Sequence, residues 1–162
     1  MILVDTSGLL SALDESQRYH RDCAAALNEA APPLLLSPFV LAEFDYLLMR
    51  HLGAPAQAAL LHEVARGAYQ LEPFDAADIA RAKAIVDRYA DLAIGLADAS
   101  IVVLAERHSV NTVLSLDQRH FRAMRIERRK RFKVLPFDSE DDPKDYFSGA
   151  HSTGCAMVTG LP

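Results

Sequence analysis

Four carboxylates stand where a folding chain has reason to avoid them. Asp5 follows directly on the apolar run Ile2-Leu3-Val4, and Asp117 follows the segment Asn111–Leu116 in the same way. Glu43 lies early in a helical pattern opened by Ser37-Pro38, and Asp98 lies two residues into Leu96–Ala105, which is apolar on nearly every face. A helix of that kind is buried, and an unpaired carboxylate is costly to desolvate. Four acids from four segments, each near a helix start after a strand or tight connector, can converge on one spot. Clustered carboxylates repel one another unless something positive holds them. Hard divalent cations do so, because Mg²⁺ and Mn²⁺ prefer carboxylate and water oxygens. No rival metal pattern is present: the six histidines lack the H-E-x-x-H spacing, and the two cysteines are far apart. An acidic cation site without a nucleotide-binding loop suits phosphodiester hydrolysis, with a water activated and the leaving oxygen neutralised. The carboxylates would hold the ion and accept a proton from the water. Asp5, Glu43, Asp98 and Asp117 are therefore the candidate catalytic and metal-holding residues, with Thr6 and Ser115 flanking them.

Each of these residues also has a plainer role open to it. Asp5 and Asp117 can be turn or N-cap residues, and Asp98 can charge its helix N-terminus favourably. Glu43 can pair with Arg50 along the same helix face. Thr6 and Ser115 read more naturally as capping hydroxyls. Taken as a set the plainer roles weaken, since all four acids occupy comparable places.

Those places follow from the elements. Ile2–Val4 is too short for a helix and reads as a buried strand. Helices follow over 6–13 and 19–30, and Pro32-Pro33 breaks the chain. Leu34–Leu36 is the second strand. Ser37 as N-cap and Pro38 at the first helical position open a helix that Gly53 ends. A further helix runs from Pro55 to near Gly67, Tyr69–Leu71 is a weak strand, and Asp75 caps a helix reaching Ala90. The helix 96–107, the strand 111–116, a helical turn over 118–124 and an edge strand over 133–137 complete the pattern. Strands alternating with helices predict an α/β fold, a three-layer sandwich with a mostly parallel central sheet flanked by helices. The carboxyl ends of parallel strands line the ligand crevice in such sheets, so Asp5 and Asp117 share one rim. The predicted domain covers 1–137, and 138–162 reads as an acidic C-terminal tail, without periodicity.

Composition narrows the classes. With 162 residues, 51% hydrophobic and 24% charged, the chain suits one globular domain. No apolar stretch is long enough to cross a bilayer, and the N-terminus enters the first strand without a basic or cleavable segment, so a cytoplasmic protein is expected. Cys23 and Cys155 suggest no disulfide framework. The net charge of −5 is unevenly spread: eight Arg and Lys residues over 119–133 face only Glu127, while the tail holds five acids against Lys144. This fits a basic contact surface beside an acidic appendage, or equally a solvated face and a solubilising tail.

Asp5-Thr6-Ser7 after the first strand, Glu43 after Ser37-Pro38, Leu96-Ala-Asp98 with its apolar continuation to Glu106, and Ser115-Leu-Asp117 resemble the motifs of PIN-domain ribonucleases, and most closely VapC-type toxins of VapBC toxin–antitoxin systems. The ordered set spans about residues 1–137 and is far more specific than any one motif. The resemblance implies a Rossmann-like, PIN-like sandwich and Mg²⁺- or Mn²⁺-dependent endoribonuclease activity, with the acidic quartet on Asp5, Glu43, Asp98 and Asp117. It further implies a homodimer, a VapB-type antitoxin as partner, and a structured substrate such as tRNA or an rRNA loop. The tail after Phe137 has no counterpart in the family pattern. The basic run 119–133 would meet the RNA backbone, where phosphate neutralisation dominates affinity.

Other readings fare worse. A phosphatase of the haloacid-dehalogenase type needs a second acid two residues after Asp5, where Ser7 stands. A dinucleotide-binding module needs a glycine-rich loop there, and Asp5-Thr-Ser-Gly8 has one glycine. The remaining rival is a catalytically silent PIN-like module that binds RNA or protein.

Overall fold

The structure, a computed structural model, describes residues 1–127 and 130–138. Its centre is a five-stranded sheet in the order β3-β2-β1-β4-β5, formed by β1 (Ile2–Val4), β2 (Leu34–Leu36), β3 (Gln70–Leu71), β4 (Thr112–Leu114) and β5 (Lys133–Leu135). Every pairing in it is parallel. Sequence predicts a mostly parallel sheet, and the described sheet is wholly so; short apolar strands without polar alternation require cover on both faces, as parallel sheets have. Leu3, Val4, Leu35, Val113, Leu114 and Val134 are fully buried in it.

Among the described residues, seven α-helices flank the sheet: α1 (Thr6–Leu13), α2 (His20–Glu29), α3 (Pro38–His51), α4 (Ala54–Ala65), α5 (Ala76–Arg88), α6 (Leu96–His108) and α7 (Gln118–Ala123). Their ends follow the local chemistry. The Ser37 hydroxyl accepts the Phe39 amide, with Pro38 in the first turn of α3. Asp75 and Asp78 exchange hydrogen bonds in a capping box at the start of α5. Gly53, at φ +82°, ends α3 in a conformation that favours glycine. Helix α6 is the core helix, buried continuously from Ala99 to Ala105, which accounts for the absence of a polar face in its sequence.

Helix α1 lies unusually close to β4. A Cβ on Gly8 would come within 2.5 Å of the Leu114 carbonyl oxygen, so only glycine lets the first turn of α1 settle there. That close approach also brings the residues just before Gly8 against the end of β4.

The strand order sets where a site can form. From β1 the chain steps outward through β2 and β3, then returns to the other side of β1 for β4 and β5. Between β1 and β4 the direction of winding reverses, and the loops at their carboxyl ends diverge to leave a crevice. Asp5 leaves β1 and Ser115-Leu116-Asp117 leaves β4 at this switch point. Most of the predicted tail, residues 139–162 with Cys155, lies outside the described residues. Cys23 is a buried free thiol.

Candidate active site

Asp5, Glu43, Asp98 and Asp117 all line one cleft of about 440 Å³ at the carboxyl end of the sheet, together with Thr6 and His120. Each acid arrives there for a local reason. Asp5 is fixed as β1 gives way to α1, its amide donating to the Leu114 carbonyl at 3.0 Å. Glu43 projects from α3, the helix that Ser37 opens. The Ser37 hydroxyl lies 2.6 Å from that of Ser100, which in turn donates to the Ala97 carbonyl, so the starts of α3 and α6 are tied together. Asp98 stands in the first turn of α6, and Asp117 is the N-cap of α7.

The side chains around the acids hold them still. Asp5, only 6% exposed, receives hydrogen bonds at Oδ2 from Ser7 Oγ (2.6 Å) and Ser115 Oγ (2.8 Å). These two hydroxyls also accept backbone amides from the β4–α7 turn: Leu116 donates to Ser7 and Asp117 to Ser115, each at 2.9 Å. The Thr6 hydroxyl donates to Glu43 Oε2 at 2.7 Å. Asp98 Oδ2 accepts the Gly95 amide at 3.0 Å, and Asp117 Oδ1 accepts the His120 amide at 2.9 Å. The His120 ring lies beside both of these acids, with Nδ1 2.9 Å from Asp117 Oδ2 and 3.3 Å from Asp98 Oδ2.

The plainer roles considered from sequence therefore divide. Asp98 and Asp117 do cap their helices while lining the cleft, so capping and cleft placement coexist. Asp5 sits at the N-cap of α1 without a side-chain capping bond. Glu43 does not pair with Arg50, whose guanidinium instead hydrogen-bonds Tyr46 Oη at 2.8 Å and lies over its ring. Thr6 and Ser115 serve as donors to the acids. Ser7 stands in the sequence motif without a role assigned to it, and Gly95 and His120 escaped the sequence reading. Ser7 had a signal in its place two residues after Asp5, and His120 in its place three residues after Asp117, where one helical turn returns a side chain to the capping carboxylate.

The electrostatics follow from burial and like charge. Desolvation raises the Asp5 pKa above its ordinary value, the Ser7 and Ser115 hydroxyls pull it back, and Asp98 pushes it up again. Asp98 is raised as well, first by desolvation, while the Gly95 amide and His120 oppose that and Asp117 and Glu43 add to it. Among the described residues that line this cleft, His120 is the only basic side chain. The donors on offer are carboxylate oxygens, the chemistry that hard divalent cations select. Among the described residues, no three His, Cys, Asp or Glu side chains stand close enough together to enclose an ion by themselves. An open cleft with few direct carboxylate ligands is compatible with Mg²⁺, which keeps several of its waters.

The basic run 119–133 is partly structural. Arg122 donates to Gln118 and to Asp138, and Arg125 turns back onto the carbonyls of Arg122, Ala123 and Met124 at the end of α7. Arg119, Lys130 and Arg131 are exposed, while Arg128 and Arg129 lie outside the described residues.

The sequence and the fold both have known relatives. The PIN domain sequence profile matches residues 2–127. Over 135 residues the chain is 42% identical to Ribonuclease VapC26 of Mycobacterium tuberculosis, a match covering 83% of this chain and 100% of that protein. The crystal structure of Mycobacterium tuberculosis VapC20, a sarcin-ricin loop cleaving toxin, superposes with a TM-score of 0.69 at 20% identity, covering 74% of this chain and 92% of that one. FitAcB from Neisseria gonorrhoeae superposes with a TM-score of 0.55 at 24% identity, covering 75% and 91%. At those identities the two structures speak to the fold. With the profile spanning most of the chain and a 42% identical relative matched along its full length, the chain belongs to the PIN-domain family.

Proposed function

We propose that the protein is a metal-dependent endoribonuclease that acts as the toxin of a bacterial type II toxin–antitoxin pair, with Asp5, Glu43, Asp98 and Asp117 as its catalytic and metal-holding residues. The observation that carries this is the charge balance of the cleft: four carboxylates line it, and among the described residues His120 is the only basic side chain facing them. A bound Mg²⁺ or Mn²⁺ would supply the missing positive charge, a more acidic water and stabilisation of the leaving oxygen. The chain's own part is positional. Ser7 and Ser115 hold the Asp5 carboxyl, Thr6 holds Glu43, and the Gly95 amide holds Asp98. A carboxylate with one oxygen fixed in this way keeps a defined direction.

The ribonuclease and toxin assignments draw on the relatives named above, and an RNA substrate with a VapB-type antitoxin partner follows from them. Structured RNA of the tRNA or rRNA class, a homodimer and a cytoplasmic location complete the reading. No helix among the described residues is long and apolar enough to cross a membrane. Within the basic run, and among its described residues, Arg119, Lys130 and Arg131 are exposed and open to phosphate contacts, and the domain proper is taken as 1–137 with Asp138 attached to it.

The test is cleavage of total bacterial RNA by purified, antitoxin-free protein with Mg²⁺ or Mn²⁺ and with EDTA, beside Asp5→Ala. Discrete cuts that need the metal and vanish in the variant are expected. No cleavage on any RNA class would instead favour a catalytically silent binding module.

A further inference from the structure

His120 has a place that catalytic shorthand for an acidic quartet leaves out. Its ring is 17% exposed and makes contacts on two sides. On one side Nδ1 stands between two carboxylates, 2.9 Å from Asp117 Oδ2 and 3.3 Å from Asp98 Oδ2. On the other, Nε2 lies 3.1 Å from the Leu92 carbonyl oxygen, in the short 3-10 turn Ala90–Leu92 that precedes α6. One rigid, planar side chain thus spans from α7 to the segment before α6. The backbone of the same residue donates to Asp117 Oδ1, so Asp117 is engaged at both oxygens by one residue.

We infer that His120 is a positioning residue for the acidic cleft: its Nδ1, between the Asp98 and Asp117 carboxylates, sets their spacing. The physical need is plain. Asp98 and Asp117 repel, and they sit on different helices, α6 and α7. Without a group between them, the short α7 and its N-cap would relax away from α6. Both acids meet His120 through Oδ2, and Asp98 Oδ2 also takes the Gly95 amide. The Asp98 carboxyl is therefore tethered at a single oxygen, which orients the other. Groups that orient metal-holding side chains in this way contribute about ten- to a hundredfold to metal affinity.

This inference rests on the proposed cation-dependent activity, so the experiment separates the two. Mn²⁺ binding to the purified protein, without RNA, is followed by the paramagnetic resonance of free Mn²⁺, with Asp5→Asn as reference. Three substitutions are compared. His120→Phe keeps a planar ring and removes both nitrogens. His120→Asn keeps a donor near the Nδ1 position, and His120→Gln keeps one near the Nε2 position. Binding weakened about tenfold or more is expected in His120→Phe and His120→Gln, with His120→Asn within about threefold of the parent, all at similar melting temperatures. The Asn–Gln contrast also decides the matter should the Phe variant not fold. Unchanged or tighter Mn²⁺ binding in His120→Phe or His120→Gln would overturn the proposal, the tighter case meaning that the ring merely occupies a place a cation would take. Equal weakening in all three would overturn it as well. Absence of Mn²⁺ binding by the parent protein would remove the cation reading beneath it.

Discussion

Two clusters of acids in this molecule have opposite electrostatics. At the carboxyl end of the sheet, Asp5, Glu43, Asp98 and Asp117 share a cleft with a single imidazole, and the Asp5 and Asp98 pKa values are raised. Beyond the end of β3, Glu72 and Asp78 meet Arg107 of α6, with His108 Nε2 a further 2.8 Å from Glu72 Oε2. There burial pushes Glu72 up, but His108, Gln70 and Arg107 outweigh it, and Asp78 is lowered chiefly by its bond to Arg107. Glu72 and Asp5 are both about 6% exposed, yet Asp5 is the more deeply desolvated of the two. Charge matching widens that difference. The matched cluster joins β3, α5 and α6 and has the form of a structural tie, whereas the unmatched one has stability to gain from a cation that the chain does not supply.

The sharpest way to break the comparison is to neutralise one acid of the cleft. Asp98→Asn keeps the size and leaves an oxygen to accept the Gly95 amide, while removing a charge that Asp117 and Glu43 repel. RNA cleavage is expected to fall by about a hundred- to a thousandfold, the scale of losing several kcal/mol of transition-state stabilisation. Melting of the metal-free protein should stay level or rise. A variant that both melts lower and retains activity would place Asp98 with the structural acids.

The reverse pattern is expected at the other cluster. Arg107 donates to Glu72, to Asp78 and to the Pro73 carbonyl, and its guanidinium lies over the Phe74 ring. Replacing it by Met leaves the buried Glu72 with the His108 ring and the Gln70 amide as its remaining partners. The expected cost is roughly 2 kcal/mol, moderated because Arg107 keeps partial exposure, with cleavage per folded molecule unchanged. Denaturant unfolding together with an activity titration reads both quantities.

Much of this contrast was legible in the sequence, though unevenly. The acids of the cleft could be found because each follows an apolar strand or lies early in a largely apolar helix, where a carboxylate is conspicuous by type alone. Element order and the parallel sheet were legible because short apolar runs alternate with capped helices. What could not be read was pairing. Arg50 is nearly two helical turns from Glu43 in sequence yet stacks on Tyr46 instead, since rotamer choice at the surface leaves no pattern. Ser7 and His120 act through the direction of a side chain, and Arg107 reaches residues some thirty positions away. Asp138 read as the first acid of the tail, whereas its carboxylate accepts the Val134 amide at 2.9 Å and the Arg122 guanidinium at 2.8 Å. The eight basic residues read as one surface, and two of them turn out to serve the end of α7 and Asp138.

The smallest expected effect is in the pH dependence of stability, where the two clusters should pull in opposite directions. Asp5 and Asp98 have folded pKa values above the ordinary 3.8, so the folded protein binds protons before the unfolded chain does. Their contribution is least favourable at neutral pH, and stability of the metal-free protein rises as pH falls from the raised values toward 3.8. Glu72 and Asp78 have folded values below the ordinary 4.5 and 3.8. Their contribution is complete above those values and is lost as pH falls through and below them. Unfolding in EDTA across this range should therefore show a shallow maximum on the acidic side of neutrality. Asp98→Asn should reduce its rising limb and Arg107→Met its acid limb. Saturating Mg²⁺ should also suppress the rise, because a bound cation keeps the carboxylates ionised. A stability curve unaffected by Asp98→Asn, Mg²⁺ or both would mean that the cleft carboxylates are no less comfortably charged than Glu72 and Asp78, and the distinction between the two clusters would dissolve.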